Sequence, residues 1–318
     1  MRPFSPVVRN RHLLTIAGSL WPRSLEEKRF PVEAKLLPTE PDVRVLVHTQ
    51  KPASNPLGEL ILVHGLEGSS AAGYMVSMAQ YALEVGFAVH RLNLRNCGGT
   101  EFLAPGMYHG GLTADLEALL VDLDRQRRTP VFVVGFSLGG NIALKLAGEL
   151  GSSGERLLAG VCAVSTPLDL AASVRQFSRG VNRFYEYRLL RSMKRRYETK
   201  SRVLPDLYPI GRLDDVRSVY EFDDRITAPC CGFQSADHYY ETQSAIRYVE
   251  DIRVPTLLIQ AQDDPLVPFE AFERPAVRDN PNIRLVAPEH GGHLGFLSRQ
   301  PPLFWLDSEV VTWVLKTR

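Results

Sequence analysis

Ser137 stands in G-F-S-L-G at 135–139, between an apolar run at 130–137 and a run with helical spacing at 138–150. This is the pattern of a serine held on a strand-to-helix turn. The turn is tight, so the flanking residues must be small. The helix behind the serine offers unsatisfied N–H groups and a positive dipole end, both useful where a carbonyl oxygen gains negative charge. A hydroxyl is a weak nucleophile and needs a base beside it. Candidates follow in the chain order such elbows use, serine, then acid, then histidine. Asp263 and Asp264 end the run TLLIQAQ, and His290 and His293 lie in EHGGHLGF after IRLVAPE. All fall at the C-terminal ends of apolar runs, the edge where open parallel sheets bind ligands. A glycine-rich turn, a polar turn and a solvated histidine loop would each be unremarked alone. Their shared order and placement point to nucleophilic catalysis.

A second element of that chemistry is H-G-L-E-G at 64–68, after the first long apolar run. Loops there supply an N–H group to the oxyanion, so the backbone amides of Leu66 and Leu138 are the expected donors. His64 is expected to orient this loop. His109, in MYHGG, reads better as a surface histidine than as a support of the site. A metal site built from Asp263, Asp264, His290 and His293 is disfavoured, because no H-E-x-x-H or comparable ligand cluster occurs. No metal and no cofactor is expected.

These groups need a scaffold. ELILVHG (59–65), FAVHRLNLR (87–95), PVFVVGFS (130–137), LLAGVCAVS (157–165), TLLIQAQ (256–262) and IRLVAPE (283–289) read as buried strands. Between them lie helical patterns, among them one with Met75, Met78, Ala79, Ala82 and Leu83 on its apolar side. Another starts at Thr113, with Asp115 and Glu117 in its first turn. Alternating strands and helices imply an α/β protein with a mainly parallel sheet flanked by helices. AKLLP and VRVLVHT lack a helix between them and should pair antiparallel at the sheet's edge. The rhythm breaks at 168–250. That stretch reads as a helical cap inserted into a single domain, 1–318, whose core is 30–167 and 251–318.

Composition narrows the partners. Lys plus Arg is 37 against 36 for Asp plus Glu, which offers no excess positive charge for nucleic acid. Cys97, Cys162, Cys230 and Cys231 have neither metal spacing nor the density of a disulfide framework, so reduced thiols and a cytoplasmic location are expected. Arg2, Arg9 and Arg11 precede the apolar stretch 13–21, which resembles a signal peptide faintly. Thr15, Gly18 and Ser19 interrupt it and no A-x-A-like site follows, so export is not expected. No run approaches the ~20 apolar residues of a membrane-spanning helix.

The motifs together resemble the YheT-like α/β-hydrolases, relatives of the abhydrolase-domain esterases and lipases. The carriers are HGLEGSS (64–70), NLRNCGG (93–99), YHGGLTADL (108–116), GFSLGGN (135–141), SADHYY (235–240), AQDDP (261–265) and GGHLGF (291–296). The resemblance runs from about residue 10 to the end. Leu14 replaces a glutamine common in the family, and His238 stands where aspartate is expected. The resemblance implies a capped α/β-hydrolase fold and carboxylester hydrolysis by a triad of Ser137, Asp264 and His293. It implies short- to medium-chain acyl esters, and lipid esters as in some eukaryotic members, whose membrane anchor has no counterpart here. The expected ligand is a small-molecule or lipid ester, with peripheral membrane contact as an option. Two other readings share the fold. One is an acyltransferase, in which an alcohol replaces water, and the other a non-catalytic binding protein. An aspartate nucleophile, as in dehalogenases, is disfavoured by Ser137 itself.

One segment of the cap is unusually basic. Between 175 and 202 lie Arg175, Arg179, Arg183, Arg188, Arg191, Lys194, Arg195, Arg196, Lys200 and Arg202, opposed only by Glu186 and Glu198. The first expectation is a solvated face partly paired with Asp206, Asp214, Asp215, Asp223 and Asp224. The sharper alternative is attraction of anionic substrates or lipid surfaces.

Overall fold

The computed structural model describes residues 3–126 and 129–318, so Arg2 lies outside it. Eight strands form one sheet: β1 (Glu33–Glu40), β2 (Val43–Gln50), β3 (Glu59–Val63), β4 (Ala88–Leu92), β5 (Val131–Phe136), β6 (Gly160–Val164), β7 (Thr256–Ile259) and β8 (Ile283–Val286). Their order is β1-β2-β4-β3-β5-β6-β7-β8. β1 pairs antiparallel with β2, and β2 antiparallel with β4; every later pairing is parallel. The strands are shorter than the apolar runs that announced them, because each run continues into the loop that carries chemistry.

Alternation along the central strands feeds two apolar layers. Ile61, Val63 and Val133 face one, with Leu116 and Leu119 of α3 (Ala114–Gln126) and Ile142 and Leu146 of α4 (Leu138–Leu150). Leu60, Leu62, Phe132 and Val134 face the other. There they meet Met75 and Met78 of α2 (Gly73–Glu84) and Val310 and Val314 of the C-terminal helix (Trp305–Thr317). Both faces being covered explains why these strands are continuous hydrophobic runs.

Before the sheet comes α1 (Arg11–Leu20), capped by the Asn10 side chain. Between β6 and β7 the chain is helical, including α5 (Leu170–Phe177), the 21-residue α6 (Arg183–Val203) and α7 (Ala236–Gln243). Ser173 and Phe177 of α5, Met193 and Arg196 of α6 and Tyr239 of α7 line a cavity that Ser137 also lines.

Candidate active site

Ser137 follows β5 directly and caps α4, with φ 52° and ψ −121°. A left-handed backbone at a non-glycine residue costs about 1–3 kcal/mol and has to be held by its surroundings. Close packing holds it. A Cβ on Gly135 would lie 2.3 Å from the Gly139 carbonyl oxygen, and one on Gly139 would lie 2.3 Å from that of Val63. The two flanking glycines therefore let the turn fold onto itself and onto β3.

The structure brings the three residues singled out in the sequence together. Ser137 Oγ lies 3.1 Å from His293 Nε2. His293 Nδ1 lies 2.9 Å from Asp264 Oδ2 and 3.2 Å from Oδ1. The Asp264 side chain is fully buried. It also accepts the Leu266 and Val267 N–H groups at 2.8 and 3.1 Å and the Gln260 amide at 3.1 Å. These bonds fix the carboxylate, and the carboxylate fixes the imidazole with its proton on Nδ1. Nε2 is then free to take a proton from the serine.

The neighbouring pair has a different job. Asp264 is the one that hydrogen-bonds its own turn. Asp263 instead accepts the Gly292 N–H at 2.9 Å and contacts His290 Nδ1 at 3.2 Å. It braces the histidine loop from outside, and His290 stays with it.

Two amides complete the arrangement. Among the described residues, neither the Leu66 nor the Leu138 N–H donates within the protein. Leu66, Leu138 and Ser137 line one cavity together. The Leu66 loop is held from several sides. Buried His64 donates through Nδ1 to the Gly65 carbonyl at 2.7 Å and accepts the Leu94 N–H at 3.1 Å. Burial lowers its pKa to about 4, so the ring that orients the loop is neutral. Tyr74 and Tyr108 hydroxyls accept the Gly65 and Glu67 N–H groups, each at 3.0 Å.

Three contributors were not visible in the motifs. Thr15 of α1 accepts the His293 backbone N–H at 2.9 Å. Gly18 meets the same loop so closely that a Cβ there would lie 2.8 Å from Gly295 Cα. Arg196 of α6 binds the Glu67 carboxylate at 2.6 Å, with both side chains 7% exposed. Burial works against the Arg196 charge, but Glu67 outweighs it and holds the guanidinium above its ordinary pKa.

Two expectations need correction. His109 is not a surface histidine. Phe233 and Tyr239 cover its ring with centroids 5.1 and 5.8 Å away, and burial, with Lys145 and Arg95, lowers its pKa to about 3. The basic run is not one solvated face either. Arg196 and Lys200 are buried, and Lys200 donates to the Glu101 and Ala104 carbonyls. Among the described residues no salt bridge joins the run to Asp206, Asp214, Asp215, Asp223 or Asp224. Asp215 pairs with Arg217, Asp224 accepts the Ala236 N–H, and Asp223 accepts from the Tyr240 and Thr227 hydroxyls. Arg183, Arg188, Arg191 and Arg195 are exposed.

The described residues contain no cluster of three or more His, Cys, Asp or Glu able to hold a metal ion. What the arrangement can do without one is activate a hydroxyl beside two free amides.

The comparisons with known proteins agree with the architecture. A family model described as alpha/beta hydrolase fold matches residues 59–300. The chain is 33% identical to the Escherichia coli protein named "Putative esterase YheT", covering 99% of this chain and 92% of that one. It is 30% identical to the mouse (Mus musculus) monoacylglycerol lipase ABHD2 over 80% of this chain, and spans 64% of that protein's length. The esterase Pf2001 of Pyrococcus furiosus superposes with a TM-score of 0.61 at 18% identity, covering 93% of this chain and 98% of that one, a likeness of fold. The chain belongs to the α/β-hydrolase fold family, in its YheT-like branch.

Proposed function

We propose that the chain is a serine carboxylesterase that hydrolyses short- to medium-chain acyl esters, lipid esters among them, through an acyl-enzyme on Ser137. The observation that carries this reading is the unbroken chain of contacts Ser137 Oγ–His293 Nε2 and His293 Nδ1–Asp264. His293 takes the hydroxyl proton as Ser137 Oγ attacks the ester carbonyl carbon, and Asp264 stabilises the imidazolium. The Leu66 and Leu138 amides stabilise the oxyanion, where one such donor is typically worth about 10²–10³ in rate. His293 then gives its proton to the departing alcohol. Water, deprotonated by His293, attacks the acyl-enzyme and releases the acid. The relatives named as an esterase and a monoacylglycerol lipase support an ester substrate. The helices inserted between β6 and β7 are read as a cap over this site, on one continuous hydrolase domain. A cytoplasmic enzyme is consistent with its free cysteines. No described helix is long and apolar enough to cross a membrane.

The test has two parts. Fluorophosphonate should label the wild type on Ser137 and leave Ser137→Ala unlabelled. A p-nitrophenyl ester series of rising acyl length, in buffer without added alcohol, should show multiple turnovers on the shorter members. Release that stopped after one equivalent and resumed only with an acceptor alcohol would overturn hydrolysis in favour of acyl transfer.

A further inference from the structure

Ser137 sits where two cavities meet. The inner one, about 600 Å³ with its open mouth, lies under the inserted helices; Leu138, His109, Asp223 and Tyr239 line it, and His293 does not. The outer one, about 1430 Å³ with its open mouth, lies between α1 and α6; His293, Ile16 and Tyr185 line it, and Leu138 does not. If Ser137 is the nucleophile, His293 must hand a proton to the departing alcohol. The alcohol then belongs on the His293 side, in the outer cavity. The acyl group belongs across the serine, in the inner chamber.

That chamber is not uniformly apolar, and four of the polar side chains lining it, His109, Ser173, Arg196 and Tyr239, carry a donor with no acceptor among the described residues. His109 Nδ1 accepts the Gly111 N–H at 3.2 Å. The ring is neutral, because burial and the nearby Lys145 and Arg95 keep it from protonating. Its one proton is therefore on Nε2, which has no partner among the described residues. Ser173 is 3% exposed, and among the described residues neither its Oγ nor Arg196 Nη1 has a hydrogen-bond partner. The Tyr239 hydroxyl accepts the Gly110 N–H at 2.7 Å, and its own proton finds no acceptor among the described residues. Buried polar groups left without partners are rare in folded proteins. Ser173 Oγ and Arg196 Nη1 are two such atoms in one chamber, and they need a reason. The Asp223 carboxyl, which also lines the chamber, accepts from the Tyr240 and Thr227 hydroxyls, each at 2.7 Å, and among the described residues from none of these donors.

We propose that the inner chamber selects acyl groups bearing a neutral oxygen, a hydroxyl, keto or ether function, which accepts hydrogen bonds from His109, Ser173 and Arg196. This deepens the esterase reading and rests on it. A carboxylate on the acyl chain is a poorer match. The Arg196 charge is answered by Glu67, and the chamber already holds the Asp223 carboxyl, so a further buried anion has no cation of its own.

The experiment compares p-nitrophenyl esters of a methyl-ketone-ended acyl chain and its isopropyl-ended counterpart, equal in length and heavy-atom number. The full-length wild type should favour the ketone in kcat/KM by about tenfold, the scale of one desolvated hydrogen bond. In His109→Phe, which keeps a ring under Phe233, and in Ser173→Ala, which removes a hydroxyl with no partner among the described residues, the ratio should fall toward one. Equal rates for the two esters in the wild type would overturn the proposal, as would losses in the variants that are parallel for both. A preference that appeared only when the ketone was moved to the alcohol half would overturn the acyl assignment. Failure of the wild type to turn over any ester would instead remove the esterase reading itself.

Discussion

Thr15 and His293 are joined by a hydrogen bond of 2.9 Å across 278 residues of sequence, hydroxyl to backbone N–H. The same hydroxyl donates to the Arg11 carbonyl at 2.7 Å, so it is pinned to α1 and pins the histidine loop in turn. Misplacing a catalytic group by about 1 Å can cost ~10²-fold. Thr15→Val should therefore lower kcat by about 10- to 100-fold with little change in unfolding temperature. Thr15→Ser should restore most of it. Unchanged kcat in the valine variant would show that Gly18 and Gly295 hold the loop unaided.

The paired aspartates predict unequal losses. Asp264→Asn should cut turnover by orders of magnitude, because the amide no longer fixes the imidazole tautomer. Asp263→Asn keeps an acceptor for Gly292 and should lose far less, as should His290→Ala. His293→Ala should lose at least ~10²–10⁴-fold. Steady-state kinetics on one p-nitrophenyl ester, with circular dichroism for folding, separates these cases. Comparable losses at both aspartates would refute the division of labour.

Acid sensitivity carries two opposed contributions. His109 has its pKa lowered to about 3 by burial, so folding disfavours its protonated form. Stability from this group is full above about 6.5 and is lost as pH falls toward the folded value. Asp223 has its pKa raised to about 6 by burial, against its hydrogen bonds to Tyr240 and Thr227. Its contribution is full below about 4 and is lost as pH rises through about 6. Melting temperatures between pH 4 and 7 should thus respond in opposite senses. Relative to wild type, His109→Phe should gain most at the acid end, and Asp223→Asn most at the neutral end. Identical pH slopes in all three proteins would contradict both assignments.

The exposed arginines of α6 predict a salt effect. Arg188 lines the outer cavity, Arg191 and Arg195 follow on the same helical face, and Phe184 and Tyr187 beside them are 53% and 61% exposed. Attraction by such a face is screened beyond ~8 Å at physiological salt. For an anionic and a neutral ester of equal length, kcat/KM should fall with ionic strength only for the anionic one. The difference should shrink in an Arg188/Arg191/Arg195→Gln variant. Parallel salt responses would leave α6 without a steering role.

Much of this was legible in the sequence, and the rest was hidden for identifiable reasons. The strands around Ser137 are buried on both faces, so they read as continuous apolar runs, and the glycines that the elbow requires sit in plain view. The part played by α1 was hidden because it works through a hydroxyl and a glycine contact, neither of which leaves a periodic trace. Arg196 and Lys200 looked like members of a charged run. The signal that places them inside is the helical spacing of buried Leu190, Met193 and Tyr197, which puts both cations on the inward side of α6. His109 is covered by Phe233 and Tyr239 from the inserted segment, and no local pattern foretells a cover that distant.

The order of these contributors along the chain has a consequence for biosynthesis. Domains form as the polypeptide emerges, N-terminal parts first. The strained serine turn, its two glycines and the Leu66 loop are all made before residue 140, whereas His293 arrives more than 150 residues later. A ribosome-bound chain, or one broken off by premature termination ahead of that point, holds the serine without the His293 imidazole beside it. On the proposed mechanism the growing polypeptide is chemically silent toward the esters around it, and reactivity begins only when synthesis has delivered the final loop.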